Sequence, residues 1–292
     1  MKTRILTGVV AIPLLIVLLI ITAATTSMVI NGFLAVVTAV GVFEFLGAVK
    51  LRKKLEIAIP SILFGFLLPI LSEPIGYILP TAFYTLYMLC CMVICHKKIS
   101  FPDFSIAYAM TTIISFSLSF VGNVSYERPM LSVFYFCFII ALPWLSDAGA
   151  YFIGSAFGKH KLCPEISPKK TIEGAIGGVV IGTILTCLMT LLFDKCFFPL
   201  LPDTQNTTFN YITVAIISLF GSVLSIFGDL SFSLIKRYYK IKDFGTVLPG
   251  HGGVLDRFDS VIFVSPLIYI MGHYCYTWLF ASDGLPNMVL SL

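Results

Sequence analysis

Charged residues are scarce in this sequence, and their scarcity excludes most soluble folds. Only 12% of the 292 residues are Asp, Glu, Lys or Arg, whereas 58% are hydrophobic, and the formal net charge is +4. A soluble globular domain carries roughly 25% charged residues, because its surface must be wetted by water. Most of the outer surface of this chain must therefore face lipid.

Three further features are missing, and each absence excludes a class of protein. No basic stripe interleaved with aromatic residues is present, so we expect no nucleic-acid partner. The 8 cysteines show no paired C-x-x-C spacing, which argues against a zinc site or a disulfide framework. The first apolar run lacks a convincing small-residue cleavage site, so we interpret it as an uncleaved span rather than a signal peptide.

Long apolar segments are what the sequence has instead. A transmembrane helix needs about 20 apolar residues at about 1.5 Å each. Nine segments meet or approach this length: 5–24, 28–49, 57–72, 77–95, 104–121, 131–157, 172–193, 210–235 and 258–281. The sequence therefore predicts an all-α, polytopic integral membrane protein with about nine transmembrane helices.

The positions of the basic residues predict the orientation of these helices. With the N-terminus in the cytoplasm, 17 of the 19 Lys and Arg residues fall on the cytoplasmic side, and Arg128 and Lys195 are the exceptions. This asymmetry is that of the positive-inside rule, and it places the C-terminus outside. We expect two parts, a scaffold, dimer-forming or lipid-facing part of about five helices (1–130) and a catalytic part (131–292). The catalytic part would carry cytoplasmic loops 158–171 and 236–257.

Unusual polar residues cluster at the cytoplasmic ends of the last two predicted helices. Four of them share one helix face by their spacing: Asp229, Ser233, Lys236 and Arg237. Asp256 and Asp259 share a face of the helix that follows. Mg²⁺ prefers oxygen ligands and is usually held by one or two carboxylates plus substrate phosphates. We therefore predict that Asp229, Asp256 and Asp259 bind Mg²⁺; the alternative is that they form salt bridges to Lys236 and Arg237.

Two glycine- or lysine-rich loops accompany these carboxylates. The first, Leu248-Pro249-Gly250-His251-Gly252-Gly253, has the glycines that a phosphate-cradling turn requires. The second follows Asp147 and ends in Ser167-Pro168-Lys169-Lys170. Ser-Pro is typical of a helix N-cap and first residue, so we expect the seventh helix to begin there with both lysines in its first turn, forming an anion site.

Other polar and small residues have less specific interpretations. Glu44 lies alone within the second predicted span, and a functional role and a buried hydrogen-bonding role are both open. The glycines at four-residue spacing from Gly154 to Gly182 predict close contacts between helices.

Two stretches resemble one known family. Residues 233–259 read S-L-I-K-R-Y-Y-K-I-K-D-F-G-T-V-L-P-G-H-G-G-V-L-D-R-F-D, and the upstream blocks read D-A-G-A-Y-F-I-G-S-A-F-G-K-H-K-L and S-P-K-K-T-I-E-G-A-I-G-G. This pattern resembles that of the phosphatidate cytidylyltransferases, also called CDP-diacylglycerol synthases. The resemblance covers about 140–180 and 221–265, and the first half of the chain is similar to the family only in hydropathy and helix count.

The resemblance implies a multi-pass enzyme of the inner, cytoplasmic membrane, often a homodimer, in phospholipid biosynthesis. Its reaction converts CTP and phosphatidate into CDP-diacylglycerol and pyrophosphate. The resemblance places the site on the cytoplasmic side and gives it Mg²⁺ with a K⁺ ion beside it. Mn²⁺ is expected to support the reaction in place of Mg²⁺. The expected catalytic residues are Asp229, Lys236, Arg237, Asp256 and Asp259. The expected residues for the CTP and phosphatidate phosphates are Asp147, Lys159, Lys170, Thr171, Glu173, Ser233, Lys242, Asp243, His251, Gly252, Gly253 and Arg257.

Two other classes of function remain as alternatives. A CTP-dependent lipid or polyprenol kinase would share the need for Mg²⁺ and CTP but would release CDP instead of pyrophosphate. A secondary transporter would also place carboxylates and broken helices inside the membrane, but it has no need of two lysine-rich loops on one side.

Overall fold

The computed structural model describes residues 2–71, 74–123, 129–196, 207–250 and 252–271, and the structural statements below concern these residues. They form nine α-helices and one short β-hairpin. The elements are α1 (Lys2–Ala24), α2 (Met28–Ala48), α3 (Leu55–Leu67, extended by a 3-10 turn over Leu68–Ile70), α4 (Pro74–Ile94), α5 (Phe101–Gly122), α6 (Pro129–Phe157), β1 (Lys161–Cys163), β2 (Ser167–Thr171), α7 (Ile172–Cys196), α8 (Thr207–Tyr238) and α9 (Leu255–Ile270).

The helical, membrane-type fold predicted from the sequence is confirmed. In the described part of the chain, 6 helices are long and apolar enough to cross a membrane, and two further apolar helices are shorter. Each of the nine apolar segments overlaps one α-helix. The number of spans, their orientation and the division at residue 130 remain predictions.

The buried core lies mainly among α2, α3, α5, α6 and α9. It contains large side chains such as Phe45, Phe136 and Leu34, which are almost fully shielded. Hydroxyl groups inside these helices frequently donate to the carbonyl four residues earlier, as Thr38 does to Leu34 at 2.7 Å. Such bonds satisfy polar groups that water cannot reach inside the membrane.

Glycines bring α6 and α7 into backbone contact. A β-carbon added at Gly178 would lie 2.7 Å from the Ser146 carbonyl oxygen, and one added at Gly154 would lie 3.4 Å from the Gly174 Cα. The predicted glycine contacts between helices are therefore confirmed for this pair. We call this contact the α6–α7 seam.

The start of α7 differs from the prediction. Residues 167–171 form β2, which pairs antiparallel with β1, and the helix begins at Ile172. Thr171 caps it, because its hydroxyl accepts the Gly174 amide at 3.1 Å. The expectation that Ser167 and Pro168 open α7 is thus wrong: the hairpin pairs this segment, and Thr171 supplies the cap four residues later. Lys169 and Lys170 consequently lie on the strand.

Candidate active site

A cavity of about 320 Å³ lies where α6, the hairpin, α7 and α8 meet. Its polar lining comes from α6, the hairpin and α8: Asp147, Tyr151, Ser155, Lys169, Lys170, Thr171 and Asp229. The α6–α7 seam forms part of the wall, through Gly154 and Gly174. Both upstream blocks of the sequence pattern thus contribute to one cavity.

Lys170 is the central cation of this cavity. Its ammonium group forms an ion pair with the Asp229 carboxylate, and each side chain is 24% exposed. Asp147 lies close enough to interact electrostatically with both. A lysine beside two carboxylates can bind a phosphate oxygen when the carboxylates bind another cation instead of the lysine.

A second cluster surrounds the N-terminus of α9, and we call it the α9 corner: Glu44, Lys236, Phe244, Gly245 and residues 252–259. Asp256 is central to it. One oxygen of its carboxylate accepts the amides of Phe244 at 2.8 Å and Gly253 at 3.1 Å. The other lies 2.9 Å from the Lys236 ammonium nitrogen, which also stands over the Phe244 ring at 5.4 Å.

Asp259 connects the α9 corner to the cavity. Its side chain is buried, it accepts the Ser260 amide at 2.7 Å, and its second oxygen lies 3.9 Å from the Lys236 nitrogen. It also interacts electrostatically with Asp229 across the crossing of α8 and α9. The crossing is tight, since a β-carbon added at Gly228 would lie 2.9 Å from the Ser260 Cα.

Glu44 belongs to the α9 corner although it comes from α2. It is 4% exposed, and its two carboxylate oxygens accept the amides of Val254 at 3.1 Å and Leu255 at 2.9 Å. These amides belong to the first turn of α9, where an anion is favoured by the helix dipole. The structure shows the buried hydrogen-bonding role left open for Glu44, and the functional role stays a prediction.

The glycine-rich loop has the backbone conformation that its sequence predicts, but the amide at its end is engaged within the protein. Gly250 and Gly252 have φ values of 79° and 87°, a region that favours glycine. However, the amides of Gly253, Val254 and Leu255 donate to Asp256 and Glu44. Of the predicted loop, Gly253 thus has its amide engaged within the protein, and the role of Gly252 and Gly253 at substrate phosphates stays a prediction. His251 lies outside the described residues.

The carboxylates fit Mg²⁺ unequally. Among the described residues, no group of three or more His, Cys, Asp and Glu side chains is close enough to hold a metal ion by itself. Mg²⁺ does not require such a group when substrate phosphates supply the remaining oxygens. Asp229 and Asp259 fit this requirement because they lie near each other between α8 and α9. Asp256 fits it poorly, since amides and Lys236 already engage both of its oxygens.

Several other predicted residues support the hairpin. Glu173 accepts the amides of Lys159 at 3.1 Å and His160 at 3.2 Å, and it lies 2.6 Å from the His160 ring nitrogen Nδ1. Glu173 therefore stabilises the turn after α6. Lys159 contributes its backbone amide to this contact, not its side chain. Arg237 reaches the same region, where its Nε donates to the Ile166 carbonyl at 3.2 Å.

The remaining predicted residues lie around the α9 corner. Ser233 is half-buried on α8, and Lys242 and Asp243 are exposed in the loop after it. Asp243 faces Gly252, where an added β-carbon would lie 3.3 Å from its carboxylate. Arg257 is exposed on α9, and its carbonyl accepts the Trp144 indole at 3.4 Å.

Sequence comparisons connect this geometry to known proteins. Residues 2–275 match the model of the cytidylyltransferase family. The phosphatidate cytidylyltransferase of Bacillus subtilis (strain 168) is 34% identical over 284 residues, which cover 93% of this chain and 97% of the relative. That of Staphylococcus haemolyticus (strain JCSC1435) is 33% identical over 282 residues, covering 93% and 98%. That of Staphylococcus aureus (strain COL) is 38% identical over 179 residues, covering 61% and 63%.

Proposed function

This chain belongs to the cytidylyltransferase family, and we propose that it transfers a cytidylyl group from CTP to phosphatidate, producing CDP-diacylglycerol and pyrophosphate. The observation that carries this proposal is the similarity to phosphatidate cytidylyltransferases over 93% of the chain. The cavity supports it, because it joins two lysines, two carboxylates and apolar walls in a helical membrane protein.

The proposed reaction needs positioning and charge neutralisation more than proton transfer. A phosphate oxygen of phosphatidate attacks the α-phosphorus of CTP, and the bond from that phosphorus to the oxygen bridging the β-phosphorus breaks. The attacking oxygen is already anionic, so no strong general base is required. The main obstacle is repulsion between two anionic substrates, which fixed cations reduce.

We assign the neutralising role to the two lysines that face the carboxylates. Lys170 would shield phosphate oxygens in the cavity, and Lys236 would do so at the α9 corner. Asp229 and Asp259 would hold Mg²⁺ together with the CTP phosphates. When bound, Mg²⁺ polarises phosphate oxygens and stabilises the charge of the departing pyrophosphate.

Asp256 receives a different role from the one expected at first. Because its oxygens hold the Phe244 and Gly253 amides and the Lys236 ammonium group, we assign it to positioning Lys236 and the loop. The salt-bridge alternative raised from the sequence describes Asp256 better than metal ligation does. Asp147, Thr171 and Arg237 remain proposed neighbours of the phosphates.

The location of the site follows from the substrates. CTP is soluble in water, whereas phosphatidate keeps its acyl chains in lipid, so the reaction belongs at a membrane surface. We propose the inner membrane, with the site facing the cytoplasm where CTP is made, and a homodimeric assembly.

One assay tests the function. The purified protein is incubated with α-labelled CTP, phosphatidate and Mg²⁺, and with Mn²⁺ in place of Mg²⁺, with and without K⁺. A labelled lipid together with pyrophosphate supports cytidylyl transfer. Release of CDP with phosphate transferred to a lipid would instead establish a kinase, and absence of any labelled lipid with active control enzyme would refute the proposal.

A further inference from the structure

Glu44 lies far in sequence from the residues assigned to the reaction, yet its carboxylate is inserted into the α9 corner. It is separated from Val254 and Leu255 by 210 and 211 positions. Glu44 sits four residues before the end of α2, in the half of the chain to which the sequence pattern assigns no role. Its carboxylate binds the start of α9 from α2.

The backbones of Gly245 and Gly253 restrict the position of the Glu44 carboxylate. A β-carbon added at Gly253 would lie 2.6 Å from one of its oxygens, and one added at Gly245 would overlap the other. The backbones of both glycines therefore pack closely against the carboxylate. Because each oxygen accepts one amide, the carboxylate fixes both the position and the direction of the first turn of α9.

That first turn carries the two aspartates of α9. Asp256 follows Leu255 directly and holds Lys236 at 2.9 Å. Asp259 is one turn further, 3.9 Å from the same ammonium nitrogen and facing Asp229 across the helix crossing. A shift of the α9 N-terminus would therefore move the proposed phosphate-binding lysine and one proposed metal ligand together.

We infer that Glu44 is a positioning residue for the proposed cytidylyl transfer: its carboxylate anchors the N-terminus of α9 so that Asp256 holds Lys236 and Asp259 stays beside α8. The expected effect on catalysis rests on the proposed function. The anchoring of α9 is measured independently of activity, by amide exchange at Val254 and Leu255. In this assignment Glu44 acts through α9 and not by contact with the reacting atoms.

The critical variant is Glu44→Gln, which keeps the shape and removes the charge. A neutral amide offers one acceptor oxygen, and its NH₂ group would face one of the two backbone N–H groups. A hydrogen bond to a charged group contributes more than one to a neutral group. We therefore expect faster amide exchange at Val254 and Leu255, by about tenfold to hundredfold.

The same variant should alter catalysis in a specific way. We expect kcat per folded molecule to fall by about tenfold to hundredfold, and the Mg²⁺ concentration for half-maximal activity to rise, because Asp259 is no longer held in place. Glu44→Asp keeps the charge with a shorter side chain and should recover part of both losses.

Thr38→Val is the matched control. Thr38 lies on the same helix, is fully buried, and bonds only locally to the Leu34 carbonyl at 2.7 Å among the described contacts. Valine has a similar shape, so this variant removes a buried polar group of α2 without touching α9. We expect exchange at α9 and the Mg²⁺ requirement to stay at wild-type values.

A second variant approaches the contact from the other side, in case Glu44→Gln folds poorly. Gly245→Ala places a methyl group where the Glu44 carboxylate lies, and it should reproduce the faster exchange and the raised Mg²⁺ requirement. Thr246→Ala changes the exposed neighbour and is its control.

The inference is overturned if Glu44→Gln and Gly245→Ala leave exchange at Val254 and Leu255 unchanged. It is also overturned if exchange rises equally in α2, α5 and α9, or if Thr38→Val gives the same result, since either outcome describes general destabilisation. A wild-type protein that makes no labelled lipid would refute the proposed function instead, and the exchange measurement would still decide the anchoring.

Discussion

Replacement of Lys170 by alanine is the perturbation that tests the cavity most directly. It removes the cation that pairs with Asp229 and leaves the carboxylates at 147 and 229 without their shared positive neighbour. Phosphate oxygens entering the cavity would then meet uncompensated negative charge. We expect KM for CTP or phosphatidate to rise and kcat to fall.

The expected size follows from Coulomb's law and the exposure of the group. Two unit charges about 4 Å apart interact by about 4 kcal/mol at an effective dielectric constant of about 20. The Lys170 side chain is 24% exposed, so solvent and salt reduce this to about 1.5–2 kcal/mol. Since each 1.36 kcal/mol is about tenfold, kcat/KM should fall by about 10- to 30-fold.

Lys169 provides the internal comparison for this experiment. It also lines the cavity but is exposed, so its charge is more strongly screened, and Lys169→Ala should cost about threefold or less. Activity is measured with labelled CTP at saturating and limiting phosphatidate, normalised to folded protein. Equal losses at the two positions, or wild-type kcat/KM for Lys170→Ala, would refute the reasoning.

Three further predictions address the metal, the seam and the topology. Asp259→Asn should lower activity by orders of magnitude at ordinary Mg²⁺ while the protein still purifies normally. Asp256→Asn should lower the thermal midpoint and also kcat, because its carboxylate holds two amides and positions Lys236, but it should leave the Mg²⁺ concentration for half-maximal activity unchanged. A raised Mg²⁺ requirement for Asp256→Asn and none for Asp259→Asn would exchange the two roles. Gly178→Val should lower the free energy of unfolding by about 3 kcal/mol or more, because the new side chain collides with the Ser146 carbonyl. Thermal unfolding in detergent measures this change. An unchanged thermal midpoint would contradict the backbone contact. Reporter fusions near Lys161 and Lys242 should both report cytoplasm and one at the C-terminus the outer side, and a cytoplasmic C-terminus would eliminate the nine-span arrangement.

The sequence predicts most of the helices because their signal is local. Apolar runs of membrane length and the charged or proline-containing breaks between them do not depend on distant partners. The grouping of Asp147, Lys170 and Asp229 was also expected from the family resemblance, although the ion pair between the last two could not be derived from spacing. These residues lie on three different elements, and only packing brings them together.

Two parts of the site could not be predicted, for physical reasons. Both Ser167-Pro168 and Thr171 could cap the start of α7. Residues 167–171 pair with β1, so the helix begins after Thr171, and this pairing cannot be seen in the local sequence. The partners of Glu44 are more than two hundred positions away, so no local pattern indicates them. A lone buried acid within a span was the available signal, and it marked the residue without identifying what it binds.

The α6–α7 seam also limits how the cavity can open. Helices that meet through side chains can slide apart as rotamers change, but backbone atoms held in contact by glycines have no such freedom. We expect α6 and α7 to move as one rigid body, carrying Asp147 and Thr171 with them. Of the elements around the cavity, we then expect the hairpin to be the one that moves when a lipid headgroup enters and a bulkier nucleotide-bearing lipid leaves.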